Sequence, residues 1–272
     1  MTQSHTYHDA DFTVVDGIAH FKLNRPDILN ALTDELQADF TQMVTQVQDS
    51  TEIRALIISA AGRAFSAGGN VKGMQGSSRP DEFRDRVRRL HRWLKPLYNL
   101  SCPVIAAVDG LAYGGGLALV LAADFVLASP KARFSAVFGR IGLIPDMALL
   151  HTLPRVVGMQ RAKELMYTAR SIHVEEAKSL GLVLEIHPSE QLDAAALMFA
   201  QRLAQGSNAA MALTKLIVNR SFESDYDTLA ELEANGQAMM RATEFHNEAV
   251  RRFVAKQPSL FNWDDFETEA SG

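Results

Sequence analysis

The sequence predicts an α/β fold in which short buried strands end in glycine turns and pass into helices. Three observations predict it. Two apolar runs rich in branched residues, 54–59 and 103–108, have the length and composition of strands buried on both faces. Each is followed by clustered glycines: Gly62, Gly68 and Gly69 after the first, Gly110, Gly114, Gly115 and Gly116 after the second. From Val156 onward the chain is mostly helix formers with recognisable stops.

Taken in order, residues 12–23 read as a hairpin around Asp16-Gly17, a dipeptide suited to a tight turn, and Asn24-Arg25-Pro26 ends it. Residues 32–47 place Leu36, Phe40, Val44 and Val47 at helical spacing behind Asp34 and Glu35, so a helix should cover a sheet face. Residues 65–70 form a small-residue loop, which the glycines, serines and Gln75 of 70–80 prolong. Residues 81–98 read as a charged amphipathic helix on which Arg84, Arg86, Arg88, Arg89, His91 and Arg92 form a mostly solvated face. A helix follows the glycine triplet, and 125–128 reads as another strand. Helices are expected over 159–169, 174–180, 194–204, 208–220, 226–240 and 245–256, with a last strand at 183–186. No G-x-G-x-x-G follows a strand and no Walker lysine motif is present, which argues against a doubly wound nucleotide fold.

At 272 residues the chain suits one large α/β unit, and 47% apolar content supplies a substantial core. The net charge of −5 argues against general affinity for nucleic acid or an anionic membrane. Cys102 is the single cysteine, so no internal disulfide and no cysteine-built metal cluster is expected, and a reducing compartment fits. The first fifteen residues show neither a signal nor a transit pattern, and no long apolar stretch is free of glycine and charge. A cytoplasmic location without a membrane partner is the expectation.

Glycines at a strand-to-helix junction let backbone approach a ligand closely and leave free N–H groups at a helix N-terminus, where partial positive charge collects. Two such segments about fifty residues apart can each offer one N–H to the same oxygen. The segments FSAGGNVKGM (65–74) and GLAYGGGLAL (110–119), with Arg133-Phe134 and IGLIPD (141–146) after them, resemble the crotonase superfamily of enoyl-CoA hydratases and isomerases over nearly the whole chain. The resemblance implies a crotonase-like spiral of ββα units over residues 1–200, carrying the acyl-CoA site. It also implies a helical C-terminal trimerisation region over 201–272, and hence a homotrimer or a dimer of trimers. It implies a coenzyme A thioester as substrate, with no further cofactor and no metal.

By the same resemblance the oxyanion donors are the N–H groups of Gly69 and Gly115, and the Ala67 carbonyl receives the adenine amino group of CoA. Arg25 matches a cation beside the CoA nucleotide, and Lys256 one that reaches CoA phosphates, sometimes from a neighbouring subunit, with Arg251 and Arg252 as alternatives. Each of these cations reads equally well as a surface charge. Trp263 and Phe266 in the tail offer anchors on a neighbour, the alternative expectation being a frayed tail.

The catalytic acids depart from the hydratase pattern. Hydration needs two carboxylates to activate water and deliver a proton, and the family's two glutamates fall where this chain has Ala118 and Phe138. One acid remains nearby. Asp146 stands where several double-bond-shifting relatives carry a single catalytic acid, and its apolar surroundings would raise its pKa toward neutrality. The competing expectation makes Asp146 the N-cap of a helix over 147–153. His91 resembles the base of the 4-chlorobenzoyl-CoA dehalogenase branch, in which an aspartate at the Asp146 position is the nucleophile; the plainer expectation is a solvated histidine on an arginine-rich helix. Isomerisation of an enoyl-CoA is therefore favoured over hydration. The alternatives are a dehalogenase or thioesterase on an aromatic acyl-CoA using Asp146 and His91, and a non-catalytic acyl-CoA binder. Pocket shape is expected to depend on Met74, Leu90, Trp93, Phe138 and Met147.

Overall fold

The computed structural model describes residues 7–69 and 79–263. The loop expected after Asn70, with Gln75 and Met74, and the tail residue Phe266 lie outside them. Strands β1 (Ala10–Val15) and β2 (Ile18–Leu23) form the expected antiparallel hairpin, with Asp16 and Gly17 both left-handed at its turn. Helix α1 (Asp34–Asp49) is opened by Thr33, whose side chain accepts the Leu36 N–H at 3.0 Å. It buries Leu36, Phe40, Met43, Val44 and Val47 against the sheet. Each such side chain contributes about 1.5–3 kcal/mol of transfer free energy.

Strands β3 (Ala55–Ala60) and β4 (Ala64–Ser66) precede the charged helix α2 (Pro80–Tyr98). Then come β5 (Val104–Val108), β6 (Leu111–Tyr113), α3 (Gly115–Val120), β7 (Phe125–Ala128) and β8 (Arg133–Ser135). Helices α4 (Leu149–Val157) and α5 (Met159–Thr168) lead to β9 (Ile172–His173), α6 (Val174–Ser179), β10 (Glu185–Ile186) and α7 (Leu192–Ala204). Helices α8 (Asn208–Val218), α9 (Tyr226–Arg241) and α10 (Glu244–Val254) close the described chain.

The strands form two sheets, ordered β1-β2-β3-β5-β7-β10 and β4-β6-β8-β9. Beyond the hairpin, the larger sheet is parallel throughout. Its neighbours come from successive units, as expected when each strand returns through a crossover. The smaller sheet is made of short strands, of which β4 and β6 follow glycine turns: β4 pairs β6 and β6 pairs β8, both parallel, and β9 adds to β8 antiparallel. Two-layer repetition of this kind is the spiral of ββα units.

Helix α7 lays Leu192, Ala196, Phe199, Ala200 and Leu203 on the sheet face formed by Ile18, Ala55, Ile57, Ile105, Ala107 and Leu127. It belongs to the core, and residue 200 falls inside it. Helices α8 to α10 bury only Gly236 within the chain. Their attachments to the core include Lys215, whose ammonium donates to Asp124 at 2.7 Å and to the Cys102 carbonyl at 3.3 Å, Asn219, whose amide donates to the Tyr98 carbonyl at 3.1 Å, and the Arg155–Glu223 ion pair. Trp263 packs edge-on against Phe199 of its own chain at 5.1 Å, where α7 presents an aromatic ring to the returning tail.

Candidate active site

The two glycine turns meet in space. Gly68, at φ +86°, lies so close to the second turn that a Cβ there would come 2.7 Å from the Tyr113 carbonyl oxygen and 2.9 Å from the Gly115 nitrogen. On the other side of Gly115 stand Leu32 and Met147, and Gly116 abuts the Ser66 carbonyl. Only glycine permits this double approach.

The first turn is clamped from below by Asn30, fully buried, whose amide donates to the carbonyls of Ala61 (2.9 Å) and Ala64 (2.8 Å). The Ser66 hydroxyl donates to the Asn30 carbonyl and accepts from the Gly68 N–H, while Leu32 N–H reaches the Gly68 carbonyl at 2.9 Å. Asn30 and Ser66 were not legible as site residues, although Asn30 in a left-handed conformation is one that asparagine tolerates. The second turn is held by the Gly114 N–H on the Ser135 carbonyl at 2.8 Å. Among the described residues neither the Gly69 N–H nor the Gly115 N–H, the first of α3, donates to any internal acceptor.

Both glycines, with Ala67 and Asp146, line one cavity of about 310 Å³ whose walls are otherwise largely apolar: Leu32, Phe83, Val87, Leu90, Val137, Phe138 and Met147. Phe138 stands in the wall and Ala118 lines the adjoining groove, so neither former glutamate position carries an acid. Of the residues expected to shape the pocket, Leu90, Phe138 and Met147 do so. Trp93 does not: it is stacked on Phe40 at 4.5 Å in the core under α1.

Asp146 is not a helix cap. Met147 and Ala148 are both left-handed (φ 49° and 62°), the Leu149 N–H bonds back to the Asp146 carbonyl at 3.0 Å, and α4 begins only at Leu149. Two consecutive non-glycine residues in that region are a strained way to turn a chain, and such strain concentrates at functional sites. The carboxylate, half-buried, makes no hydrogen bond to another residue's side chain among the described residues. Burial pushes its pKa above the usual carboxylate range, while the charges of His91 and Arg86 and its own backbone N–H hold it partly down.

His91 lies across from Asp146 on the wall of the second groove, on an exposed position of α2. Arg86, expected on the solvated face of that helix, instead lines the cavity and lies close enough to act on Asp146. Arg140 also reaches the cavity wall, with two guanidinium nitrogens on the Ala169 carbonyl at 2.7 and 3.1 Å.

The cations expected near CoA stand outside the walls of both cavities. Arg25 spends its guanidinium on Asp27 (3.0 Å, two bonds) and on the buried Asp9 (2.8 Å) and lines neither cavity. A buried carboxylate needs such a partner, which gives Arg25 a structural role. Lys256, two residues past α10, lines a separate pocket with Phe245 and Phe253, and Arg251 and Arg252 are both bound to Glu248.

Comparison with known sequences adds one decisive observation: residues 13–265 match the family model described as enoyl-CoA hydratase/isomerase. The chain belongs to the enoyl-CoA hydratase/isomerase family. It is therefore an enzyme of the crotonase superfamily. Enoyl-CoA hydratase/isomerase from Cupriavidus metallidurans is a structural neighbour, with a TM-score of 0.91 at 40% identity, covering 95% of this chain and 97% of the other. A probable enoyl-CoA hydratase of Rhodobacter capsulatus is 33% identical over 94% of this chain and 98% of its own length. A 1,2-epoxyphenylacetyl-CoA isomerase of Escherichia coli is 32% identical over 91% and 96%. Relatives named as hydratases and one named as an isomerase thus both match this chain at about one-third identity. None of the described helices is long and apolar enough to cross a membrane.

Proposed function

We propose that this enoyl-CoA hydratase/isomerase family member moves the double bond of an enoyl-CoA thioester, with Asp146 as its single acid/base. The thioester oxygen sits between the Gly69 and Gly115 N–H groups, which stabilise the dienolate formed when Asp146 removes a proton from C2 of a 3-enoyl chain. Asp146 returns the proton at C4, giving the conjugated 2-enoyl product. One carboxylate suffices because the same proton leaves and comes back.

The observation that carries this reading is the pairing of one burial-raised carboxylate, without a side-chain partner among the described residues, with two glycine amides that donate to no internal acceptor, in one largely apolar cavity. A raised pKa brings a carboxylate's basicity closer to that of the carbon acid it must deprotonate. An oxyanion donor is worth roughly 10²- to 10³-fold in rate. The absence of acids at Ala118 and Phe138 weighs against hydration, despite the hydratase names of several relatives. Lys256 fits a CoA-phosphate role only from a neighbouring subunit of a trimer or hexamer, which the exposed apolar side chains of α8 to α10, such as Phe253 and Val218, would bury.

The test is turnover of 3-enoyl-CoA and 2-enoyl-CoA followed by product analysis. Conjugation of the first without hydration of the second supports the reading; hydration at a comparable rate refutes it. A second reading, covalent attack by Asp146 with His91 as base, is favoured by the position of His91 beside that carboxylate. It predicts release of halide or free acid from an aromatic acyl-CoA.

A further inference from the structure

Beyond Asp146 the cavity continues into a groove of about 970 Å³, the two sharing Phe83, Val87, Leu143, Asp146 and Met147 in their walls. Ala67 and Gly69 line only the first, so a thioester held at the glycine amides points its acyl chain past Asp146 into the second. Ala118 opens that passage: a methyl replaces the carboxylate that the hydratase pattern places there, and Ala122, one turn further along the same buried stretch, keeps the floor small and apolar.

The groove's walls are cationic. Arg84, Arg88, His91 and Lys95 form one stripe of α2 at spacings of four, three and four residues, and all line it. Arg220, just past the end of α8, faces it from another element. Among the described residues, Arg84, Arg88, Lys95 and Arg220 form no ion pair and no side-chain hydrogen bond. Among the described residues the only carboxylate lining the groove is Asp146. An apolar floor between unpaired cations from two elements is complementary to a chain that is hydrocarbon along its length and negative at its end.

We infer that the groove beyond Asp146 selects acyl groups ending in an anion, so that the preferred substrates are CoA monothioesters of dicarboxylic acids. This rests on the acyl-CoA reading of the glycine cavity and adds to it the class of acyl group. The free terminal carboxylate meets Arg84, Arg88 and Arg220, while the hydrocarbon lies over Ala118 and Ala122. Exposed ion pairs are individually weak, and several together give a preference of about tenfold.

The experiment is titration calorimetry of the full chain with saturated esters, which bind but cannot isomerise. Succinyl-, adipoyl- and suberoyl-CoA are compared with butyryl-, hexanoyl- and octanoyl-CoA. The expected result is a preference of about tenfold for the carboxylate-ended ester at one or more lengths. R84Q/R88Q, and separately R220Q, should reduce that preference and leave the methyl-ended esters unchanged. Equal affinities at all three lengths in the wild type overturn the inference, as does a preference that survives both variants. A loss in R84Q/R88Q that falls equally on both series also overturns it, since the cations would then be holding the phosphates common to all CoA esters. Failure of every ester to bind removes the acyl-CoA reading itself, and the inference with it. Binding without isomerase turnover would remove only the proposed reaction.

Discussion

Gly68 and Gly115 lie in backbone contact, with the Cβ position of Gly68 only 2.9 Å from the Gly115 nitrogen. This contact joins two turns that are remote in sequence and sets how near their free amides can stand. Gly68→Ala would force them apart, and φ +86° at that position adds backbone strain of about 1–3 kcal/mol. A displaced oxyanion site should lower kcat about 10²-fold or more. Steady-state turnover with calorimetric Tm measures both; a variant with normal kcat would place the oxyanion elsewhere.

Asp146→Asn should abolish isomerisation and at the same time stabilise the fold near neutral pH. The sign follows from linkage. Burial raises the folded-state pKa of Asp146 above its unfolded value, so the folded chain binds the proton more tightly. Stability contributed by that proton is complete below the unfolded pKa and is lost as pH rises through the folded one. At neutral pH the ionised carboxylate is therefore a cost, which the neutral amide removes. A Tm that falls in the variant across neutral pH, or activity that survives, contradicts this account.

The same shift fixes the pH profile. The base form of Asp146 should be lost on acidification at a pH above the ordinary carboxylate range of about 3.9, giving kcat/KM an acid limb displaced upward. His91 and Arg86 oppose the effect of burial, so His91→Gln should move the limb further toward neutral pH and leave the plateau rate of an isomerase nearly unchanged. A plateau that collapses instead would make His91 a reacting group and favour the covalent mechanism.

The larger sheet was legible because its strands are long enough to show apolar runs: 54–59 and 103–108 anticipated β3 and β5 to within a residue at each end. The smaller sheet was not, since β4, β6 and β8 have three residues each, too few for any periodicity to register. Gly69, Gly115, Ala67 and Asp146 line one cavity; the close approach of the two turns was legible because glycine spacing encodes close backbone contact directly, whereas Ala67 and Asp146 were placed by the family resemblance. The pairing of Arg25 with Asp9, sixteen residues away, was not legible, because nothing local distinguishes a cation paired to a buried carboxylate from a free one. Arg86 misled: helical charge spacing does not say which side of α2 faces a cavity. The capping role considered for Asp146 failed at Met147 and Ala148, whose left-handed turn has no signature in those residue types.

Lys215 is the remaining joint whose loss should be measurable, because it alone neutralises Asp124 at the base of β5. The Asp124 carboxylate accepts the Val104 N–H at 2.7 Å and the Lys215 ammonium at 2.7 Å, and the two side chains are only 22% and 10% exposed. Burial raises the Asp124 pKa and Lys215 opposes that rise. Lys215→Ala leaves a buried charge without its partner, which costs roughly 3 kcal/mol. The penalty should be largest at neutral pH and shrink in acid, since a protonated Asp124 needs no cation: with Lys215 gone the folded pKa climbs further above the unfolded one, and stability is lost as pH rises through it. Asp124→Asn in the Lys215→Ala background should recover most of the loss, the non-additivity expected of two groups in contact. Denaturant titrations of the four chains at two pH values give the coupling directly, and strictly additive single-variant effects would show that α8 is held to the core by something other than this pair.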